Sequence, residues 1–157
     1  MQKTPAEMIR ILPDDDFSVA NAFVALGEAL NCKSVVRYAT AHKSWKCVYS
    51  RKKPARVLYT IECTEDKWHI KACLWSIDAY REAFDAYSDK IKEVVTSAYD
   101  CKSCNLHCAG GAKFTFDGVL YKKCVGCSFY FSDLSKDDWH DVLALIEKEY
   151  QATDPAV

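Results

Sequence analysis

Five cysteines crowd into one stretch of the chain, spaced Cys101-x2-Cys104-x3-Cys108-x15-Cys124-x2-Cys127. A C-x2-C pair forms a tight knuckle that aims two sulfurs at one point, and two such pairs can close four thiolates into a tetrahedron. The spacing therefore predicts a metal site. Soft thiolates favour zinc or an iron–sulfur cluster, and zinc makes no redox demand on the fold, so zinc is the expected ion. Four protein thiolates leave no open coordination position, which makes the expected site structural rather than hydrolytic.

The segment KFTFDGVLYKK carries an Asp117-Gly118 hairpin turn. In a two-residue hairpin Phe116 faces Val119, so Cys124 falls opposite Gly111, a step from Cys108. Two ligand sets stay open: Cys101, Cys104 and Cys124 with Cys127, or the same three with Cys108. His107 is a further candidate. Gly110-Gly111 lets the backbone approach the metal closely or bend into the hairpin. Lys102, Lys113, Lys122 and Lys123 stand against the single acid Asp117, and they balance thiolate charge before they argue for nucleic acid. The rival readings are disulfides, free thiols and a redox dithiol at Cys101 and Cys104. A redox C-x2-C is activated when it opens a helix, whereas this one follows a helix. Cys32, Cys47, Cys63 and Cys73 stand singly among apolar residues, as small buried hydrophobes do.

A second candidate lies in three expected strands at 45–50 (WKCVYS), 55–63 (ARVLYTIEC) and 68–75 (WHIKACLW). If TEDK is a four-residue hairpin loop, Val57, Tyr59, Ile61 and Cys63 oppose Leu74, Ala72, Ile70 and Trp68 on one face. The other face then sets Glu62 opposite His69, a carboxylate beside a base, which is the pair that general acid–base chemistry uses and also an ordinary cross-strand polar contact. Aromatic residues concentrate around the meander. Most must be core, but Tyr59, Trp68 and Trp75 with Glu62 are the expected wall of a small-molecule pocket. Lys43, Lys46, Arg51, Lys52 and Lys53, interleaved with Trp45 and Tyr49, suit either phosphate contact with base stacking or a solvated turn.

These residues need elements to position them. Asp14-Asp15-Asp16 starts a helix over about 16–30, where negative charge meets a helix N-terminus. The segment 33–42 reads equally as helix or strand. Helical spacing resumes at Ile77, Tyr80, Phe84 and Tyr87, and Ser88 caps a following helix that leads into Cys101. SFYF at 128–131 is a short strand. Ser135 caps a last helix with the stripe Trp139, Val142, Leu143, Ile146 and Tyr150, and 152–157 is a loose tail. The fold class is α+β: one domain over 1–157, an antiparallel sheet with packed helices, and a zinc-ribbon-like hairpin at 101–127 built into it.

Half of the residues are hydrophobic, so the chain can bury a core. A net charge of -1 supplies no global field for nucleic acid, which is an unfavoured partner, or for an anionic membrane. The start MQKTPAEMIRILPDDDF lacks the apolar core of a signal peptide and no run approaches a membrane span, so a cytoplasmic protein is expected.

The blocks WKCVYSRKKPARVLYTIE and DKWHIKACLW ahead of a helix, then a hairpin and a helix, resemble over residues 45–150 the small bacterial domains grouped with GyrI-like ligand-binding proteins. The segment with KFTFDGVLYKKC resembles a zinc-ribbon elaboration of such a domain. The resemblance implies an effector- or small-molecule-binding module; no binding residue carries over, and the cysteines depart from the GyrI-like pattern. The functional expectation is thus a zinc-binding protein that takes a small molecule on its aromatic sheet face. The alternatives are an enzyme using Glu62 and His69, and an interaction module contacting nucleic acid or protein through the cysteine segment.

Overall fold

The computed structural model describes residues 2–102, 110–126 and 129–152. Cys104, His107, Cys108 and Cys127, and residues 153–157 of the tail expected at 152–157, lie outside the described residues.

Five strands form one antiparallel sheet in the order β1-β2-β3-β4-β7: β1 Lys33–Ala39, β2 Ser44–Lys52, β3 Ala55–Cys63, β4 Trp68–Ala72 and β7 Phe129–Phe131. The meander register is the expected one over Tyr59–Cys63, with Tyr59 opposite Ala72, Ile61 opposite Ile70, Glu62 opposite His69 and Cys63 opposite Trp68. The expected Val57–Leu74 pair is not formed, because a bulge after Tyr49 shifts the β2–β3 register, leaving Val57 exposed and Leu58 buried. The segment 33–42, undecided by its own periodicity, is largely the edge strand β1. Only Val36 of that strand is buried, because an edge strand packs one neighbour and leaves its other flank in water.

Two helices open the chain, α1 Pro5–Ile9 and α2 Asp14–Ala29. The first was not anticipated although it carries a full capping box: Glu7 N–H donates to Thr4 Oγ1 at 3.2 Å and Thr4 N–H to Glu7 Oε2 at 2.8 Å. Phe23 of α2 meets the rings of Tyr59, Trp68 and Trp139. Trp139 belongs to the last helix, α5 Lys136–Ala152, and stacks on Trp68 with centroids 4.3 Å apart. These contacts put α2 and α5 on the core face of the sheet, where Cys47, Tyr59, Ile61, Ile70, Ala72, Phe129 and Phe131 are fully buried. Gly27 of α2 lies against this layer so closely that a Cβ there would sit 2.3 Å from a Tyr49 ring carbon.

The expected strand at 68–75 ends at Ala72, and the helix expected from Ile77 breaks into a 3-10 turn, Ile77–Tyr80, and the short α3, Arg81–Phe84. Past Ala72, Cys73 N–H makes one more bond across to β3, to Leu58 O at 2.9 Å. The N–H groups of Trp75 and Ser76 leave the ladder and donate to the carboxylate of Glu149 at 2.7 and 3.1 Å, and Tyr80 Oη donates to its other oxygen at 2.6 Å. Glu149 is 1 % exposed. It takes the inward position that helical spacing gives Tyr150, while Leu145 rather than Leu143 is fully buried. Ser88 caps α4, Asp89–Thr96, as expected, accepting from Ile91 N–H. The hairpin β5 Ala112–Phe116 and β6 Val119–Lys123 has the expected register, with Asp117 and Gly118 both at positive φ, as a type I′ turn requires. The architecture is therefore α+β with an antiparallel sheet and packed helices. No helix among the described residues is long and apolar enough to cross a membrane.

Candidate functional site

Side chains alternate across a sheet, so the register that buries Ile61 and Cys63 turns Glu62 to the opposite face. There the carboxylate is held by three neighbours. Ser44, itself buried, donates its hydroxyl to Glu62 Oε1 at 2.6 Å, while Oε2 lies 3.2 Å from His69 Nε2 and 3.5 Å from Lys46 Nζ. Burial pushes the Glu62 carboxyl up, but the Ser44 hydroxyl, His69 and Lys46 together outweigh it and hold the group below its ordinary value. Burial also pushes His69 below its ordinary value against the pull of Glu62, so at neutral pH the imidazole is uncharged. With Nε2–H directed at Glu62, the acceptor nitrogen of the neutral ring is Nδ1. The pair can thus orient a base without holding a full ion pair.

This cluster borders a cleft of about 260 Å³ lined by His42, Ser44, Glu62, Thr64, Lys67 and His69. A larger groove of about 600 Å³ shares His42, Thr64 and Lys67 and adds Tyr38 and Trp45. Those two rings meet edge-on at 5.2 Å, and Lys3 Nζ stands 4.9 Å from the Trp45 centroid. By register Tyr38 and Trp45 lie on the face opposite Glu62, so the two cavities adjoin around the end of the sheet, at His42, Thr64 and Lys67, where a small molecule could reach polar groups on one side and rings on the other. His42, Tyr38 and Trp45 were not anticipated here. The turn joining β1 to β2 brings them together, and that turn could not be placed while 33–42 was undecided.

The expected aromatic wall is distributed otherwise. Tyr59 is 0 % exposed and donates its hydroxyl to Phe23 O, and Trp68 is sandwiched in the core. Both face the helices, away from Glu62. Trp75 lies beyond β4, half-buried, with the Arg56 guanidinium 4.9 Å from its ring centroid. The four residues do not share one cavity, because strand alternation sends Tyr59 and Glu62 to opposite faces. The basic stretch is divided in the same way. Tyr49 and Arg51 turn inward, with Arg51 stacked on Tyr150 and donating to its carbonyl at 3.0 Å.

In the cysteine segment, Cys101 N–H donates to Lys122 O at 2.9 Å and Cys124 N–H to Tyr99 O at 2.8 Å. The stretch around Asp100 thereby pairs with β6, which already pairs with β5, and this sets Cys101 opposite Lys122 and Cys124 opposite Tyr99 on adjacent segments. A Cβ at Gly111 would lie 2.6 Å from Cys101 Cβ and 2.6 Å from Lys123 O, so only glycine admits this approach. Lys123 is 5 % exposed, and its ammonium donates to Ala98 O at 2.9 Å and Asp100 Oδ1 at 2.8 Å. One buried cation thus clamps the residues before Cys101 and Cys124. Among the described residues no three His, Cys, Asp or Glu side chains form a group that could hold a metal ion. Cys47 and Cys63 are pushed up to about 11 by burial, and Cys32 and Cys73 upward for the same reason, which makes these thiols unreactive.

Glu149 is the polar residue that sequence reasoning missed. Its signal was an acid at the position where the stripe Val142, Ile146 calls for an apolar side chain. No family model, no curated protein and no solved structure matches the chain.

Proposed function

We propose that this chain is a cytoplasmic small-molecule-binding module whose cysteine segment holds a structural zinc ion. The observation that carries the binding reading is the Ser44–Glu62–His69–Lys46 cluster, half-buried beside a cleft that shares lining residues with an aromatic-walled groove. A polar group of the ligand would meet Glu62 and His69, and its apolar part would lie toward Tyr38 and Trp45. Tyr59 and Trp68 would support the site from the core rather than touch the ligand. The resemblance to GyrI-like ligand-binding domains agrees with this use of the fold.

Zinc would be held by Cys101, Cys104 and Cys124 with either Cys108 or Cys127. Two observations support this reading: the stretch holding Cys101 pairs with the one holding Cys124, and Gly111 clears the space beside Cys101. A closed thiolate site would tie α4 to the hairpin and supply folding energy, not catalysis.

A thermal-shift screen against metabolites, repeated on Glu62→Gln and Tyr38→Ala variants, tests the binding reading. A hit whose shift falls in both variants supports it; hits that ignore both substitutions refute this seat. Elemental analysis tests the metal, with one zinc per chain expected and loss in Cys101→Ser. A fully folded, reduced, metal-free protein would refute zinc. The enzyme reading is favoured by one feature, the uncharged His69 oriented by Glu62, and turnover of a bound compound that His69→Ala abolishes would establish it.

A further inference from the structure

The helices whose rings or hydrogen bonds meet the large sheet do so on its core face, and the opposite face carries an uneven charge. By register, Lys33, Val35 and Arg37 of β1, Lys46 and Val48 of β2, Thr60 and Glu62 of β3, His69 and Lys71 of β4 and Tyr130 of β7 point the same way. Four cations therefore stand against one carboxylate, and that carboxylate is already held by Ser44, Lys46 and His69. Tyr130 is 45 % exposed, its ring 5.3 Å from His69 and 5.7 Å from Lys71 Nζ. It also lines, with Tyr99 from the stretch before Cys101, a recess of about 310 Å³. Tyr99 is 70 % exposed.

We infer that this open face binds single-stranded nucleic acid, one base entering the recess beside Tyr130 and Tyr99 and the backbone running over Arg37, Lys46 and Lys71. The charge excess selects a polyanion although the whole chain carries -1. The tyrosine recess selects among polyanions: a planar base gains stacking there, while runs of acidic side chains and serine or inositol phosphate headgroups carry no planar aromatic ring to place in it. This face shares Lys46, Glu62 and His69 with the small-molecule site proposed above, and Tyr99 O accepts from Cys124 N–H beside the recess; Arg37, Lys71 and Tyr130 belong to neither site and are the positions that distinguish the two readings.

Fluorescence anisotropy with labelled oligouridylate and oligodeoxythymidylate on the full chain tests it, the two arms separating RNA from DNA. Binding at low salt should weaken steeply as salt rises. Tyr130→Ala should weaken it about tenfold, and Arg37→Gln and Lys71→Gln should each lower the log–log salt slope by about 0.7. Arg10→Gln, an exposed cation at the end of α1 on the core-face side, should leave binding unchanged. All four positions are exposed or half-exposed, and matched melting curves keep folding out of the comparison. Absence of binding at low salt would overturn the inference. So would binding indifferent to Tyr130, Arg37 and Lys71, or equal capture of an oligoglutamate peptide or of phosphatidylserine vesicles.

Discussion

Replacing Glu149 should separate two ways of losing a buried carboxylate. The side chain receives three donors, Trp75 N–H, Ser76 N–H and the Tyr80 hydroxyl, at 2.6 to 3.1 Å. In Glu149→Ala all three are left without this acceptor inside the protein, and at about 1–3 kcal/mol for each unsatisfied donor the loss is on the order of 3–5 kcal/mol once water enters part of the cavity. In Glu149→Gln the amide oxygen keeps the two backbone donors, and the amide nitrogen can donate to a Tyr80 hydroxyl turned to accept, so the loss is about 1 kcal/mol or less. Acidity adds a sign. Burial raises the Glu149 carboxyl above its ordinary 4.5, against the lowering effect of Tyr80, Trp75 and Ser76. Its contribution is therefore fully present below 4.5 and lost as pH rises through the raised value. Urea unfolding followed by tryptophan fluorescence, at fixed zinc and under reducing conditions, should show wild type losing ground to Glu149→Gln as pH rises. Equal losses for Ala and Gln, or wild type gaining on Gln with rising pH, would refute the reasoning.

Gly27→Ala should destabilise by about 1–3 kcal/mol through overpacking against Tyr49 and Tyr59, and urea midpoints would show it; an unchanged midpoint would mean the helix does not lie this close. Because Glu62 pulls the His69 value upward, Glu62→Gln should lower it further, read from the imidazole resonances across a pH titration. A rise would mean that the two side chains do not face each other. Glu62 itself is held below its ordinary value, so its stabilising effect holds above the ordinary carboxylate range and fades as pH falls through the lowered one, a dependence that Glu62→Gln should flatten. If the cysteine segment holds zinc as proposed, Lys123→Met should release it faster to a chelator than wild type, since the clamp on Ala98 and Asp100 is lost. Unaltered release would separate that clamp from the metal.

The sequence by itself determined the elements whose information is local. Alternation and turn chemistry specified β3, β4 and the β5–β6 hairpin with their registers, since a one-residue slip would bury Glu62 and expose Ile61. It also placed Glu62 against His69, and the same register brings Cys124 level with Gly111. Only the tertiary structure decided matters that depend on distant partners. The edge strand β1 gains its identity from pairing with β2, not from its own pattern. Beyond β4, Cys73 N–H still bonds Leu58 O across the sheet, and the chain then turns to Glu149, far along the sequence, which takes the N–H groups of Trp75 and Ser76. Which aromatics are core and which are surface was likewise undecidable locally: Tyr59 and Tyr130 have the same side chain, and what separates them is that Tyr59 lies on the sheet face covered by α2 and α5, while Tyr130 lies on the other and stays 45 % exposed.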